Sequence, residues 1–514
     1  MTEQGPEKTQ STYERLALLA VLLVLILSRI AMFVGTGFTA DDAFITYRYA
    51  DQIARGEGFV YNTGERVQGT SSPVFAILLS AVSAAGGHAG VPLASRVISL
   101  TADAITLILL WYLLAHFNVL SRVVVGLFFA LYPKVVFVCS EGMEISLVLA
   151  LMVGGLLALR RGRVLVGSLL FGLLLVTRID AILWVVVCMV TQRPRKHILA
   201  AMCLLAAPPA GWAWFSKDYF GAVVPNAIIA KSLSWSELYP LFDPVRILRG
   251  YFPSHGLVDS PMAVQVLAGS LALLPVLVAL VIALRKEDGL GIFPAFFLLY
   301  TLAFSFGRVI MADWYYLPGF VAYGVSLGIL AEYLIARPLR DRLRPIVSVV
   351  TGVILLSILI ALNVVAIRRW SVDPGAWFRD NLVRVGDWLE AHAEPESSVL
   401  LEPIGYVGWR SGMRVHDVIG MVSPEVLRYR IRSPRSNAWF FQYLRDFAPD
   451  FVVLQRKEIH ENRLFLGYGD AIFRNDVEFS WFAASYVALG PEATGGTELS
   501  TEYVVFKRLP VPVQ

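Results

Sequence analysis

Apolar runs recur along this chain from residue 16 to residue 367, and a sequence built that way has few folds open to it. The first run covers residues 16–35, and about 20 residues of helix reach across about 30 Å of hydrocarbon. Others cover 94–116, 121–139, 145–159, 164–176, 180–191, 198–215, 263–284, 291–306, 316–336 and 345–367. Together they predict a polytopic α-helical membrane protein with about eleven transmembrane helices. Composition agrees: 56% of residues are apolar and 16% charged, against about 25% charged in soluble domains. The net charge of +4 forms no basic block, so no nucleic-acid partner is expected. Cys139, Cys188 and Cys203 all lie in apolar runs, which gives neither a disulfide framework nor a metal-binding spacing.

No small-residue cleavage site separates the first run from Asp41-Asp42, so it reads as a retained helix behind a cytoplasmic tail of residues 1–15. The moderately apolar segment after Ser71-Ser72-Pro73 ends at Gly86-Gly87 and reads as an interfacial helix within a large first outer loop, 36–93. Basic residues set the orientation. Arg122, the Arg160–Arg163 cluster, Arg193 to Lys196, Arg285-Lys286 and the arginines from Arg337 to Arg344 all fall on one, cytoplasmic, face. The outer face then receives Asp41-Asp42, Glu144, Arg178 to Asp180, residues 216–262 and Arg308 to Trp314. Beyond the transmembrane domain, 16–370, the character changes. Residues 371–514 combine helical periodicity from Phe378 to Leu389 with β-rich runs at 451–454 and 503–506. An odd number of spans makes this an extracytoplasmic α/β domain.

Chemistry concentrates in the outer loops. Asp41 and Asp42 emerge directly from a membrane helix, followed by Tyr47 and Arg48. Adjacent carboxylates raise one another's protonation cost unless a cation, proton or hydroxyl relieves them. The pair suits a general base for a sugar hydroxyl, and it equally suits a solvated helix start. Downstream, Asn62-Thr63-Gly64 is turn chemistry and Thr70-Ser71-Ser72-Pro73 a helix start, with Glu65 and Gln68 free to line a polar pocket.

The run from Asp41 to Pro73 resembles the first loop of the GT-C superfamily, lipid-phosphosugar-dependent glycosyltransferases with an active site at the outer membrane face. Its nearest likeness is to bacterial terminal arabinofuranosyltransferases of cell-wall arabinan. Four further stretches carry the likeness: Gly142 to Leu147, Thr177 to Asp180, Tyr219 through Pro225-Asn226 to Lys231, and Ile404 through Asp417 to Gly420. Where many relatives have Gly-Asp-Trp, this chain has Ala312-Asp313-Trp314-Tyr315-Tyr316, which leaves the sugar open. The resemblance implies a bacterial inner-membrane enzyme. Its donor would be a polyprenyl-phosphate sugar, and its acceptor a cell-envelope glycan or glycoprotein. Transfer of mannose or aminoarabinose to protein or lipid is the alternative, and a flippase for lipid-linked sugars the reading from another class.

A departing lipid phosphate needs a cation. Lys231 is the first candidate, followed by Arg308 and Arg178, whose bland roles are snorkelling and pairing with Asp180. Glu144 either faces the helix dipole or binds substrate. Asp180, Asn226, Asp313, Trp314, Tyr315 and His416 complete the expected substrate contacts, although the aromatics also suit an interfacial belt. A divalent cation, Mg2+ or Mn2+, on Asp42 and Glu144 is compatible with the paired carboxylates without being required, since Lys and Arg supply charge alone.

Overall fold

The computed structural model describes residues 6–192, 197–235, 241–251, 262–287, 289–306, 311–340, 343–372, 374–433, 436–464, 470–490 and 499–510. Arg308 lies outside the described residues, as do Arg193, Arg195, Lys196 and Arg342. The chain divides into two compact units. One comprises Met1–Phe38, Ser95–Gly211 and Pro240–Val372; the other comprises Thr39–Ala94, Trp212–Tyr239 and Asp373–Gln514.

The first unit is helical. Its elements include α1 (Pro6–Thr36), then, after α2 (Asp41–Ala54) and α3 (Pro73–Gly86) of the other unit, α4 (Val91–Leu113), α5 (Val119–Leu131) and α6 (Pro133–Ser140). They continue with α7 (Ile145–Arg160), α8 (Val164–Thr177), α9 (Ile182–Gln192) and α10 (Ile198–Phe220). The expected count of eleven spans is corrected here. Among the described residues five helices are long and apolar enough to cross a membrane: Thr12–Thr36, His88–Leu113, Ile198–Phe220, Asp313–Ala336 and Ile346–Ser371. A sixth arises if α5 and α6 count as one span. Several expected spans are too short. Helix α7 has 16 residues and α8 has 14, which at 1.5 Å per residue reach about 24 and 21 Å. The expected straight span 121–139 is bent by 53° between α5 and α6, because Pro133 forces Tyr132 into an extended conformation.

Two buried charged groups of this unit are well paired, as a medium without water favours. Arg29 meets Asp103 at 2.8 Å and also donates to the carbonyls of Phe129 and Ala130. Glu332 accepts from the Asn118 side chain and backbone, Ser121 and Arg337. Around them packs an apolar core that includes Leu149, Phe171, Trp184, Phe296 and Leu317.

The second unit is mixed. Five strands, β1 (Ser398–Leu401), β2 (Arg414–Asp417), β3 (Phe451–Gln455), β4 (Tyr486–Ala488) and β5 (Tyr503–Arg508), form one sheet in the order β2-β1-β3-β5-β4. The β2-β1-β3 portion is parallel and the β3-β5-β4 portion antiparallel. The two β-rich runs of the sequence are adjacent strands, with Val452 opposite Phe506. Helical periodicity from Phe378 is realised in Pro374–His392. Trp439, Phe440, Tyr443 and Leu444 of the helix Ala438–Phe447 fill the core against Leu400, Val452 and Leu454.

Helix α2 belongs to this unit and is buried from Ala43 to Gln52. Such a helix holds together only if every buried polar group finds a partner. Thr46 pairs with Thr70, Tyr49 donates to the Val67 carbonyl, Asp51 accepts from Ser83, and Gln52 donates to Thr63. Asn62 performs a related service at the sheet edge. Its amide donates to the Val415 carbonyl and accepts from the Val415 N–H, covering the outward backbone of edge strand β2.

Candidate active site

Asp41 and Asp42 open α2 after Ala40, whose extended conformation starts the helix without a side-chain cap. Acidic residues are favoured there by the helix dipole. Their carboxylates then part. Asp41 accepts from the backbone N–H groups of Gly405 and Tyr406, each at 2.8 Å, and so caps the helix Gly405–Ser411 from across the unit. Position 405 must be glycine for this approach, because a Cβ there would lie 1.9 Å from the Asp41 carbonyl oxygen. Burial pushes the Asp41 carboxyl up to about 7. The two N–H groups oppose the rise, while Asp42 and Asp417 add to it.

Asp42 turns instead to Lys231, whose Nζ stands 3.4 Å from its Oδ2. Both side chains are half-buried. Lys231 reaches this position from helix α11 (Asn226–Trp235). The start of α11 is fixed by Asn226. Its N–H donates to the Gln68 carbonyl, and its amide donates to the carbonyls of Gly420 and Met421. Asn226, expected as a substrate contact, has its amide on protein backbone at the start of the helix that carries Lys231.

Two more carboxyls surround this corner. Asp417, fully buried at the end of β2, accepts from the N–H groups of Ile419, Met421 and Val422. Burial raises its carboxyl above the usual range against those bonds. Glu402 is raised more strongly, by burial and then by Asp417, Asp41 and Asp42. Neither stood among the expected site residues as a titrating group. Asp417 stood in the Ile404–Gly420 stretch of the resemblance, and Glu402 lies just ahead of it.

Other expected contacts serve the fold. Arg48 donates to the carbonyls of Tyr61, Gly408 and Met413 at 2.8, 2.6 and 2.7 Å, and its guanidinium lies over the Tyr61 ring. Tyr47 is buried against Phe44 and Trp409. Glu65 accepts from Asn62 and pairs with Arg414. His416, expected as a substrate contact, is buried on β2 with its Nδ1 2.5 Å from the Tyr443 hydroxyl and 3.6 Å from Glu425.

A separate polar cluster lies within the helical unit. Arg178, at the break after α8, binds Glu144 at 2.9 Å and Asp180 at 2.9 Å, with Tyr315 against its guanidinium face. Glu144 begins α7 and is buried. The pairing reading of Arg178 and Asp180 is thus the observed one. Asp313 pairs with Lys134 at 2.8 Å, and Trp314 packs against the core beside Tyr315. Asp42 and Glu144, the expected metal pair, belong to different units. Among the described residues no three His, Cys, Asp or Glu side chains are gathered into a metal-binding group.

A family described as a domain of unknown function (DUF8728) matches residues 370–506. No curated protein matches the chain. Among solved structures, ArnT from Cupriavidus metallidurans bound to undecaprenyl phosphate is similar, with a TM-score of 0.58 at 11% identity, over 96% of this chain and 98% of that one. Its apo form gives 0.56 at 11% identity with the same coverage. The archaeal oligosaccharyltransferase AglB from Archaeoglobus fulgidus, in complex with an inhibitory peptide and a dolichol-phosphate, gives 0.50 at 10% identity, over 96% of this chain and 74% of that one. The likeness is one of fold.

Proposed function

We propose that this chain is a GT-C membrane glycosyltransferase, moving a sugar from a polyprenyl-phosphate donor to an acceptor at the outer face of a bacterial inner membrane. The observation that carries the reading is the half-open Asp42–Lys231 pair at 3.4 Å, anchored on a buried helix and a clamped loop. It sets a base beside a cation. In the reaction Asp42 takes the proton of an acceptor hydroxyl, whose oxygen bonds to the anomeric carbon. The bond from that carbon to the phosphate oxygen breaks, and Lys231 stabilises the negative charge that remains on the lipid phosphate. Asp41, with both oxygens on backbone N–H groups, holds the loop in place.

Undecaprenyl phosphate in ArnT and dolichol-phosphate in AglB support a polyprenyl phosphate as carrier here. The same two proteins favour the alternative substrate reading, with mannose or aminoarabinose passed to protein or lipid, over arabinofuranose passed to arabinan. The test uses the full chain in lipid nanodiscs with a panel of polyprenyl-phosphate pentoses and hexoses. Glycan, peptide and lipid acceptors are each supplied, with and without EDTA. Asp42→Asn is expected to lower kcat by about 10²–10⁴ while donor binding persists. Lys231→Gln is expected to lower kcat/KM by about 10²–10³. Transfer that survives Asp42→Asn at the unmodified rate sinks the assignment. Turnover that persists in EDTA would show that transfer needs no divalent cation.

A further inference from the structure

The C-terminal part of the mixed unit encloses a cavity of about 720 Å³, within the usual range for small-molecule pockets, about 300–1,000 Å³. Its floor is the sheet, through Leu454 on β3 and Phe506 on β5, and one wall is the helix Asp476–Ser485, which runs directly into β4. The lining is aromatic. Phe482 stands 5.0 Å from Phe473, 5.1 Å from Tyr486 and 5.1 Å from Phe506, between ring centroids. At the opening the side chains of Phe479, Val487, Leu509 and Ile459 are exposed. Scattered exposed apolar residues need no explanation, but four around one mouth mark a binding surface.

Most polar neighbours of the cavity are already committed, Asp476 at the start of the wall helix being the exception. The Asn462 amide donates to the Phe473 carbonyl and accepts from its N–H. Asn475 caps the helix through the Glu478 N–H, and Arg474 is held by the Glu478 carboxylate. Glu458 accepts from the Gln455 N–H, and the Tyr486 hydroxyl donates to the Pro449 carbonyl. A sugar entering here would exchange its water hydrogen bonds for spoken-for partners, which is unfavourable. A hydrocarbon chain loses nothing on entry and gains with each methylene removed from water.

We propose that this cavity binds the aliphatic chain of a lipid, acyl or isoprenoid, in the exported part of the protein. The inference stands apart from the transfer reaction, since none of its residues belongs to the Asp42 site. The test incubates the full chain in nanodiscs with diazirine-labelled palmitate or, separately, with diazirine-labelled polyprenyl phosphate. After photolysis, labelled peptides are mapped by mass spectrometry. Ala483 lines the cavity and is exposed, so Ala483→Trp fills the space without burying new bulk elsewhere. Phe479→Asp, at an exposed rim position, is a second variant that leaves the core intact. Labelling of peptides within residues 454–509 should fall about tenfold in either variant, the loss expected when about two methylenes are no longer buried. Labelling of the apolar helices should stay constant and serves as the internal control. Palmitate labelling alone assigns an acyl chain, and polyprenyl labelling alone an isoprenoid. Absence of variant-sensitive labelling with both probes overturns the proposal.

Discussion

Asp41 and Asp42 are separated by about 100° around their helix, and that rotation sends one carboxylate to a backbone cap and the other to a lysine. Distinct consequences follow from substituting each. Asp41→Asn keeps one acceptor oxygen but turns an NH2 toward the second backbone N–H, and is expected to cost about 1–3 kcal/mol of stability, read as a lower unfolding midpoint. Its effect on turnover should follow that instability. Asp42→Asn should leave the midpoint within about 0.5 kcal/mol while slowing transfer about 10²–10⁴-fold. Acid behaviour separates them again. The Asp41 carboxyl moves from an ordinary value of 3.8 up to about 7 on folding. Between those values the folded state holds a proton that the unfolded state has released, so this group's contribution is present below about 4 and lost as pH rises through about 7. Thermal melts of the unmodified chain should therefore decline across that interval relative to Asp41→Asn, in which the titration is gone. A parallel pair of curves contradicts the assignment. The Asp pair itself was legible in the sequence, because two carboxylates at a helix start stand out. Which one points to Lys231 was not, since that depends on a glycine more than 360 positions away approaching the Asp41 backbone.

Among elements, the helix Gly405–Ser411 and strand β2 depend on side chains far from them in sequence. Gly405→Ala places a methyl group on the Asp41 carbonyl, and about 1–3 kcal/mol of destabilisation is expected from the enforced shift. Asn62→Ala uncovers the Val415 N–H and carbonyl and should cost about 1–3 kcal/mol. Denaturant titrations measure both, and a change under about 0.5 kcal/mol in either would show that the contact carries no weight. Short runs rich in valine and phenylalanine made β3 and β5 readable. Strands β1 and β2 were not marked as strands, and nothing local distinguishes four residues such as Arg414–Asp417. Helix count fared worse for a physical reason. Apolarity says that a segment avoids water, but α7 and α8 are largely buried among other helices of their unit, and burial in protein asks for the same residues as burial in lipid. Arg48 misled in the opposite direction. Its charge beside two aspartates suggested substrate, whereas its N–H groups serve three carbonyls that no sequence pattern announces.

At the scale of the molecule, the outer loop 39–94 and the segment 212–239 belong to the same compact unit as the C-terminal residues. The C-terminal segment is therefore incomplete by itself. Expressed alone, residues 373–514 lack α2, Asn62 and Asn226, which satisfy Gly405, Tyr406, Val415, Gly420 and Met421 in the full chain. Circular dichroism and amide exchange of that fragment should report a loosened state without a cooperative melt, whereas the full chain in nanodiscs melts cooperatively in this unit. A fragment that melts as sharply as the full chain would mean the loop merely leans on a finished domain.

The bonds from Asp41 to Gly405 and Tyr406 span 364 and 365 positions of chain. A ribosome adding about 5–20 residues per second needs about 20–70 s to travel between the two ends of that clasp. During this interval Asp42 is already synthesised and its scaffold is not. Chains released before residue 405 carry Asp41 and Asp42 without the two N–H groups that the clasp engages, so the corner around Asp42 is built only once those distant residues have been made.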